Sequence, residues 1–529
     1  MFFTLVGVVK EMLNETFPHQ KEEERSFKEP VKSSEPDQAE CADVALVEEQ
    51  RPRLERILTP RFVLAIFTAL NFIIYYDRGA LSGSLASIKG DKRIAGDSKT
   101  LTDTKVGFIV SGFMIGYMTT SPLFAAFGGI VPSKWIIVGG MVIWAIACVG
   151  TGSATTYAAL LVCRIFVGVG EAAFVGFTVT TIDRIAPSGS RTLWIGTFYS
   201  MIPVGTAAGM VVGGSVGSLG TIGPTQGWRI VFFTEVLASI PIVLANAFLP
   251  SIYNLRSDSD ETEYYSLHKA TWILIKNLNY LLIVFGYAMY SFVLGAFAVW
   301  GIPMLIQGTM RLSYINASLI LGGVTALTGV LGSVAGGFVL DKIGGTSGSL
   351  NLIRGQLLLI LLILVSVAVG IAALFLENIV GFTFLLTLSV FALFMVTAPV
   401  NAAIMNVVSP ELKAYAVSYS VFLIHALGDF PSPTFAGFLS DHVFSKGCPL
   451  YNISLCDLDT GNHCRWVNNT DDASSGHCVN EYQLRNALLV VFSMMFLSVP
   501  CWLVVYFRLW RAYRRAESLS DSSGVSLVG

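Results

Sequence analysis

At 529 residues, with 53% hydrophobic and only 13% charged side chains and a mean hydropathy of +0.64, the chain is too apolar for a soluble domain, where about 25% of residues are charged. A net charge of −2 gives no electrostatic footprint for a nucleic-acid partner. The composition is that of a polytopic membrane protein.

Residues 1–60 are polar, as in Lys21-Glu22-Glu23-Glu24-Arg25 and Ser33-Ser34-Glu35-Pro36-Asp37-Gln38, and predict a largely disordered cytoplasmic tail. The apolar start Met1 to Val9 lacks the basic flank and small-residue cleavage site of a signal peptide. A short amphipathic helix on the membrane surface is the other reading of it. Six apolar spans follow near 61–82, 104–126, 134–153, 157–183, 191–217 and 228–250, and six more near 277–305, 315–340, 352–374, 378–406, 413–440 and 483–510. At 1.5 Å per residue such spans cross a hydrocarbon core of about 30 Å. The polar linker 251–276, with Arg256, Asp258, Asp260, Glu261 and Glu263, divides the chain into bundles at 61–250 and 277–511, and 512–529 forms a cytoplasmic tail. The expected fold is all-α: twelve transmembrane helices in two six-helix bundles with a site between them near the midplane, the major facilitator arrangement.

Basic residues set the orientation. Arg51, Arg53, Arg56 and Arg61 precede the first span, Arg184 and Arg191 lie between spans four and five, Lys342 and Arg354 between eight and nine, and Arg508, Arg511, Arg514 and Arg515 close the last. All fall on one side, so both termini are expected in the cytoplasm. Lys89, Lys92, Arg93 and Lys99 in the first loop run against the trend. The connector 441–482 agrees with it, holding Cys448, Cys456, Cys464 and Cys478 and the sequons at Asn452 and Asn468, as suits a lumenal or extracellular loop. At least one disulfide is expected there, and three pairings are open. A third sequon begins at Asn316; Cys148, Cys163 and Cys501 lie in spans as packing residues.

The chemistry sits in the spans. A mid-membrane charge costs about 2.5–3.5 kcal/mol on a lenient scale and persists mainly where it is paired or lines a polar path. The first span carries Asp77-Arg78, 100° apart on a helix. Asp77 is expected to face the interior and accept Arg164; Arg78 either takes part or snorkels to the span's lumenal end. In the fourth span Arg164, Gly168 and Glu171 share one face, Gly168 clearing space for a headgroup or a neighbouring helix. A permanent structural pair is the plainer reading of Arg164. The fifth span carries Pro203, Gly205, Gly209 and Gly213, a small-residue ladder suited to close packing or to a moving interface. Tyr287, Tyr290, Phe297, Trp300, Thr325, Thr397 and Asn401 are candidates to line an apolar, aromatic second half of the cavity. His425 and Asp429 are i, i+4 neighbours, either a pH-sensitive pair or a hydrogen bond that orients the eleventh span, and Pro431 and Pro433 predict a kink after them. No Walker loop, zinc spacing or catalytic constellation emerges, so neither an enzyme activity, a cofactor nor a metal is expected.

Tyr75-Tyr76-Asp77-Arg78-Gly79, the stretch Arg164 to Ala172, Gly227-Trp228-Arg229, Ala398-Pro399-Val400-Asn401 and His425-Ala426-Leu427-Gly428-Asp429 with Ser432-Pro433 together resemble the Spinster family, over about residues 58 to 511. The resemblance implies a major facilitator transporter of lysophospholipids and sphingolipids, many of them proton-linked. It places the family's functional acid on Asp77, its basic neighbour on Arg78, the fourth-span pair on Arg164 and Glu171, and the eleventh-span histidine on His425. Ile74 stands where family members usually have Asn, with Asn71 one turn earlier, and the loop from Phe127 to Lys134 lacks the acid that its counterpart keeps at Asp341.

The expected function is alternating-access transport of such amphiphiles, coupled to protons through Asp77 or Glu171, by a monomer in an endolysosomal membrane or, next, the plasma membrane. Two other readings are a facilitator for a small anion or sugar, and a non-transporting scaffold or receptor that binds a partner through 441–482.

Overall fold

The computed structural model describes residues 59–96, 100–127, 131–187, 191–223, 225–250, 253, 267–344, 349–409, 412–445, 448, 456, 463–469 and 472–523. The expected N-terminal tail, the sequon at Asn452 and most of the 251–276 linker lie outside them. The linker's last stretch forms a helix, Leu267–Lys276.

The first bundle comprises α1 (Pro60–Gly90), the short α2 (Lys92–Ala95), α3 (Asp103–Phe127), α4 (Ser133–Ser153), α5 (Tyr157–Ile185), α6 (Arg191–Gly217) and α7 (Gly227–Ala247), with a minimal hairpin β1 (Thr221–Ile222) and β2 (Thr225–Gln226) before α7. After α8 (Leu267–Lys276), the second bundle comprises α9 (Leu278–Gln307), α10 (Tyr314–Lys342), α11 (Ser349–Phe375), α12 (Ile379–Met395) running into α13 (Thr397–Asn406), α14 (Lys413–Ile424) and α15 (Pro431–Phe438), and finally α16 (Gln483–Met494) and α17 (Ser498–Ser523). Among the described residues, ten helices are long and apolar enough to cross a membrane. The other two expected spans are α3 and the interrupted segment α14–α15.

Local signals explain several ends. Thr156 caps α5 by accepting from the Ala159 amide, and Asn277 and Ser313 do the same for α9 and α10. Proline at its first position opens α1. That helix runs eight residues beyond the expected span end at 82, because Lys89 in its last turn is ion-paired to Asp103 (2.5 Å) rather than left for solvent. The eleventh segment does not merely kink at proline. It winds as a π-helix over His425–Asp429, with the Phe430 amide bonded to the His425 carbonyl, and again over Leu439–Phe444. A π turn inserts one residue into the helix and re-aims the side chains beyond it.

One apolar cluster, around Phe67, Leu70, Trp144, Phe174 and Phe198, lies within the first bundle; the other, around Tyr280, Leu358, Phe382, Phe492 and Trp502, fills the second and runs on into the first through Leu81, Leu85, Ile109 and Phe232. Close backbone contacts lock the first. A Cβ at Gly209 would strike the Tyr76 carbonyl, and one at Gly168 the Phe113 carbonyl. The three glycines of the fifth-span ladder therefore seat α6 on α1 inside one bundle, while Pro203 faces the other bundle. Gly168 likewise clears no ligand space; it lets α5 lie on α3.

The bundles meet from the middle of the membrane to the side bearing the 441–482 connector. There Asp441 caps α3 from the other bundle, accepting from the Asp103 amide (3.0 Å), the Thr104 amide (2.7 Å) and the Thr104 hydroxyl (2.6 Å). Ser440 donates to the Asp103 carboxylate (2.8 Å). Deeper, a Cβ at Gly107 would strike Pro433 and Thr434, and α6 packs on α10 through Ala207 against Gly322 and Pro203 against Gly329. The connector holds a hairpin, β3 (Cys464–Asn469) against β4 (Asp472–Asn480), which the all-α expectation omitted. Disulfides Cys448–Cys464 and Cys456–Cys478 clip it, resolving the three open pairings into one. Asn468 lies on β3 opposite Gly476. Beyond the second bundle, α17 continues to Ser523, so part of the expected tail is helical.

Candidate functional site

Two opposed ion pairs occupy the centre of the first bundle. α1 contributes Asp77 and Arg78 on adjacent positions, and α5 contributes Arg164 and Glu171 seven residues apart, so the charges run acid–base on one helix and base–acid on the other. Arg164 Nη1 and Nη2 donate to Asp77 Oδ1 and Oδ2 at 2.8 and 2.6 Å. Arg78 Nε and Nη2 donate to Glu171 Oε1 and Oε2 at 3.2 and 2.6 Å. Both contacts are bidentate forks, the strongest geometry for arginine and carboxylate.

The pairs face different surroundings. Asp77 and Arg164 are both 0% exposed, shut inside the bundle with Cys148 of α4 and Phe232 of α7 beside them. Arg164 thus lines no open cleft, against the expectation that it lies on the transport path. Arg78 is 19% exposed and is stacked on Tyr75 and Phe113, 4.6 and 4.3 Å from the ring centroids. The expectation that it snorkels to a helix end also fails. With α1 spanning Pro60–Gly90, Arg78 is mid-helix, and Glu171 supplies a partner that outcompetes a distant interface. Each such buried pair gives modest net stability, but loss of one partner strands a charge at about 3–5 kcal/mol.

The second bundle faces Arg78 with His425 and Asp429, joined Nδ1 to Oδ2 at 2.9 Å on the π turn, both partly exposed. The His425 ring meets the Tyr117 ring of α3 edge-on at 5.8 Å, a contact across the two bundles. Tyr75 of α1, Tyr117 of α3 and Tyr199 of α6 from the first bundle, and Tyr287 and Tyr290 of α9 from the second, gather around Arg78, Glu171 and Asp429 where the bundles meet. Tyr287 and Tyr290 pack ring to ring at 5.3 Å. Tyr290 is nonetheless buried at 3%, and Trp300 at 1% donates its indole N–H to the Pro433 carbonyl (2.8 Å). Trp300 therefore joins α9 to α15 and is not cavity lining. Thr397 donates to the Phe394 carbonyl and Asn401 to the Thr397 carbonyl within α13, with Asn401 exposed. Asn71 donates to the Phe198 carbonyl (2.8 Å) and ties α1 to α6, so it does not stand in for the asparagine expected at 74.

The sequence reading missed Glu235, the sole acid of α7, although a carboxylate in mid-span was the signal used elsewhere. It missed Tyr75, Tyr117 and Tyr199, whose roles depend on which helices become neighbours. It also left Asp103 and Asp441 as loop charges. Arg229, noted only within a motif, binds Asp91 (2.7 Å) and the Gly152 and Ala154 carbonyls (3.0 and 2.5 Å), fixing the loops of the connector side.

The Major Facilitator Superfamily profile matches residues 67–433. Among curated proteins, the probable sphingolipid transporter spinster homologs 2 and 1 of Arabidopsis thaliana are each 30% identical, the alignments covering 73% and 74% of this chain and 82% and 84% of theirs. A sphingosine-1-phosphate transporter of Danio rerio is 25% identical over 73% of this chain and 77% of its own. Among solved structures, a bacterial homolog of the human lysosomal transporter Spinster, in an inward-facing and unoccupied conformation, superposes with a TM-score of 0.68 at 18% identity, covering 85% of this chain and 98% of that one. The nucleoside transporter NupG superposes at 0.56 with 14% identity, over 84% and 99% of the two chains. The fold is thus shared by transporters of unlike cargo.

Proposed function

The chain belongs to the spinster family of the Major Facilitator Superfamily, and from that premise we propose that it carries lysophospholipids or sphingolipid-type amphiphiles across a membrane by proton-coupled alternating access. The observation that carries this reading is the Arg78–Glu171 fork, with Arg78 19% exposed among tyrosines where the bundles meet. Arg78 offers a phosphate headgroup the planar, two-donor surface that suits it, and the aromatic side chains accept the acyl or sphingoid portion. Glu171 occupies those donors while it is ionised. A proton on Glu171 removes its charge and releases Arg78 to the headgroup, so cargo and proton enter together. The Arg78–Glu171 pairing supports Arg78, rather than Arg164, as the group that protonation of Glu171 would loosen.

The contacts between the bundles, concentrated on the connector side, support a state closed on that side in which the cleft is reached from the opposite one. In the cell the connector side is the lumenal or extracellular one and both termini are cytoplasmic, with an acidic endolysosomal membrane as the setting and a monomer as the working unit.

The test is uptake by vesicles containing only the purified protein. Labelled lysophospholipid is expected to enter, faster with a proton gradient, and unlabelled lysophospholipid or sphingoid phosphate is expected to compete. Competition by a small anion or sugar but not by lysolipids would reassign the cargo. A protein that moves nothing would be the scaffold, acting through its connector.

A further inference from the structure

Glu235 has no part in the scheme above. It lies midway along α7, is 3% exposed, and among the described residues neither carboxylate oxygen has a hydrogen-bond partner. Its carboxylate, that of Asp77 and the thiol of Cys148 each place one atom within 4.8 Å of the other two. Asp77 is already held at both oxygens by Arg164, with Cys148 Sγ 3.8 Å from Oδ1. The charged and titratable groups that face Glu235 are Asp77 and Tyr76 from α1, Cys148 from α4 and Arg164 from α5. On α7 itself, Arg229 is spent on Asp91.

Asp77 and Arg164 cancel, so an ionised Glu235 would be a bare charge in the dry interior of a membrane bundle, which such an interior does not tolerate. One positive charge is missing. A hard metal cation takes several oxygen ligands, whereas only the two oxygens of Glu235 are uncommitted here. A proton needs only one.

We infer that Glu235 is a resident proton site and that it hands its proton to Asp77 during the transport cycle. The O–H bond on Glu235 breaks and one forms on Asp77. Arg164 then leaves the neutral Asp77 for the newly ionised Glu235. The cluster's net charge is constant, so the guanidinium has a carboxylate before and after, and α1 is released from α5 on one side of the double pair. The handover rests on the proton-coupled reading; the resident proton rests on burial and geometry alone.

Infrared spectroscopy of the full-length protein in bilayers reads the C=O stretch of a protonated carboxylic acid. The wild type is expected to show such a band at neutral pH, Glu235→Gln to lose it and Glu171→Gln to keep it; a band that survives in Glu235→Gln overturns the inference. Glutamine is the neutral isostere of the protonated acid, so this variant is expected to fold and melt like the wild type, and failure to accumulate also counts against the site. Asp77→Asn combined with Glu235→Gln leaves Arg164 without a carboxylate and is expected to lower Tm by more than the two single changes together. Purely additive losses would contradict the exchange of partners. If the band maps to Glu235 while wild-type lysophospholipid uptake ignores the proton gradient, the handover and the coupled reading both fall and the resident proton stands.

Discussion

The Arg78 guanidinium is partly exposed while its charge is held by Glu171, a fully buried partner. A lysine at that position keeps the charge but loses the fork and the stacking on Tyr75 and Phe113. A hydrogen bond to a charged group is worth about 1.5–3 kcal/mol, so Arg78→Lys is expected to slow lysolipid transport by about 10- to 100-fold with the protein still folded, measured as initial uptake rates at equal reconstitution. A rate within twofold of wild type would remove Arg78 from the transport path. The sequence made this residue legible only in part. Asp77 and Arg164 were correctly joined because an interior acid on one span needs a base from another. The Arg78–Glu171 pair needed the length of α1 and the crossing of α1 on α5, which no local pattern encodes.

At the level of elements, the connector-side closure depends on one helix capping another. Asp441 serves as an N-cap for α3 from outside its own bundle, and that bond must break whenever the bundles part on this side. Removing a side-chain N-cap costs about 0.5–2 kcal/mol, which shifts a two-state equilibrium about 2- to 30-fold. Asp441→Ala is therefore expected to populate longer distances between spin labels at Lys105 and Phe438, in pulsed EPR distance distributions; an unchanged distribution would show that this cap does not hold the closed state. The sequence showed Pro431 and Pro433 and so a bend near the right place. It did not show the π turn at His425–Asp429, since a π turn is one inserted residue whose cost is repaid by tertiary contacts. Nor did it show that Lys89 of the basic first loop is neutralised by Asp103, or that the loop's Asp91 is held by Arg229 of α7.

At the level of the molecule, hydropathy was enough to place two bundles, because segments that bury backbone in lipid have few alternatives to helix. The connector was harder to read. Its strands are short and polar, and they are held by disulfides rather than by a core, so neither periodicity nor composition announces them. Closing a loop of about 15 residues is worth about 3 kcal/mol in the chain-entropy account. Non-reducing peptide mapping is expected to recover Cys448 with Cys464 and Cys456 with Cys478, and reduction is expected to open the hairpin to protease while vesicle uptake continues. Recovery of a different pairing would contradict the connector's structure, and loss of uptake on reduction would make the connector part of the transport machinery.

Coupled transport requires Glu171 to release Arg78 when it takes a proton, and gradient-driven uptake of labelled lysophospholipid by Glu171→Gln vesicles addresses that step directly. With a neutral amide in place of the acid, Arg78 is permanently released, so uptake is expected to persist at a basal rate that no longer responds to the proton gradient. A Glu171→Gln protein whose uptake still rises with the gradient as the wild type does would contradict it.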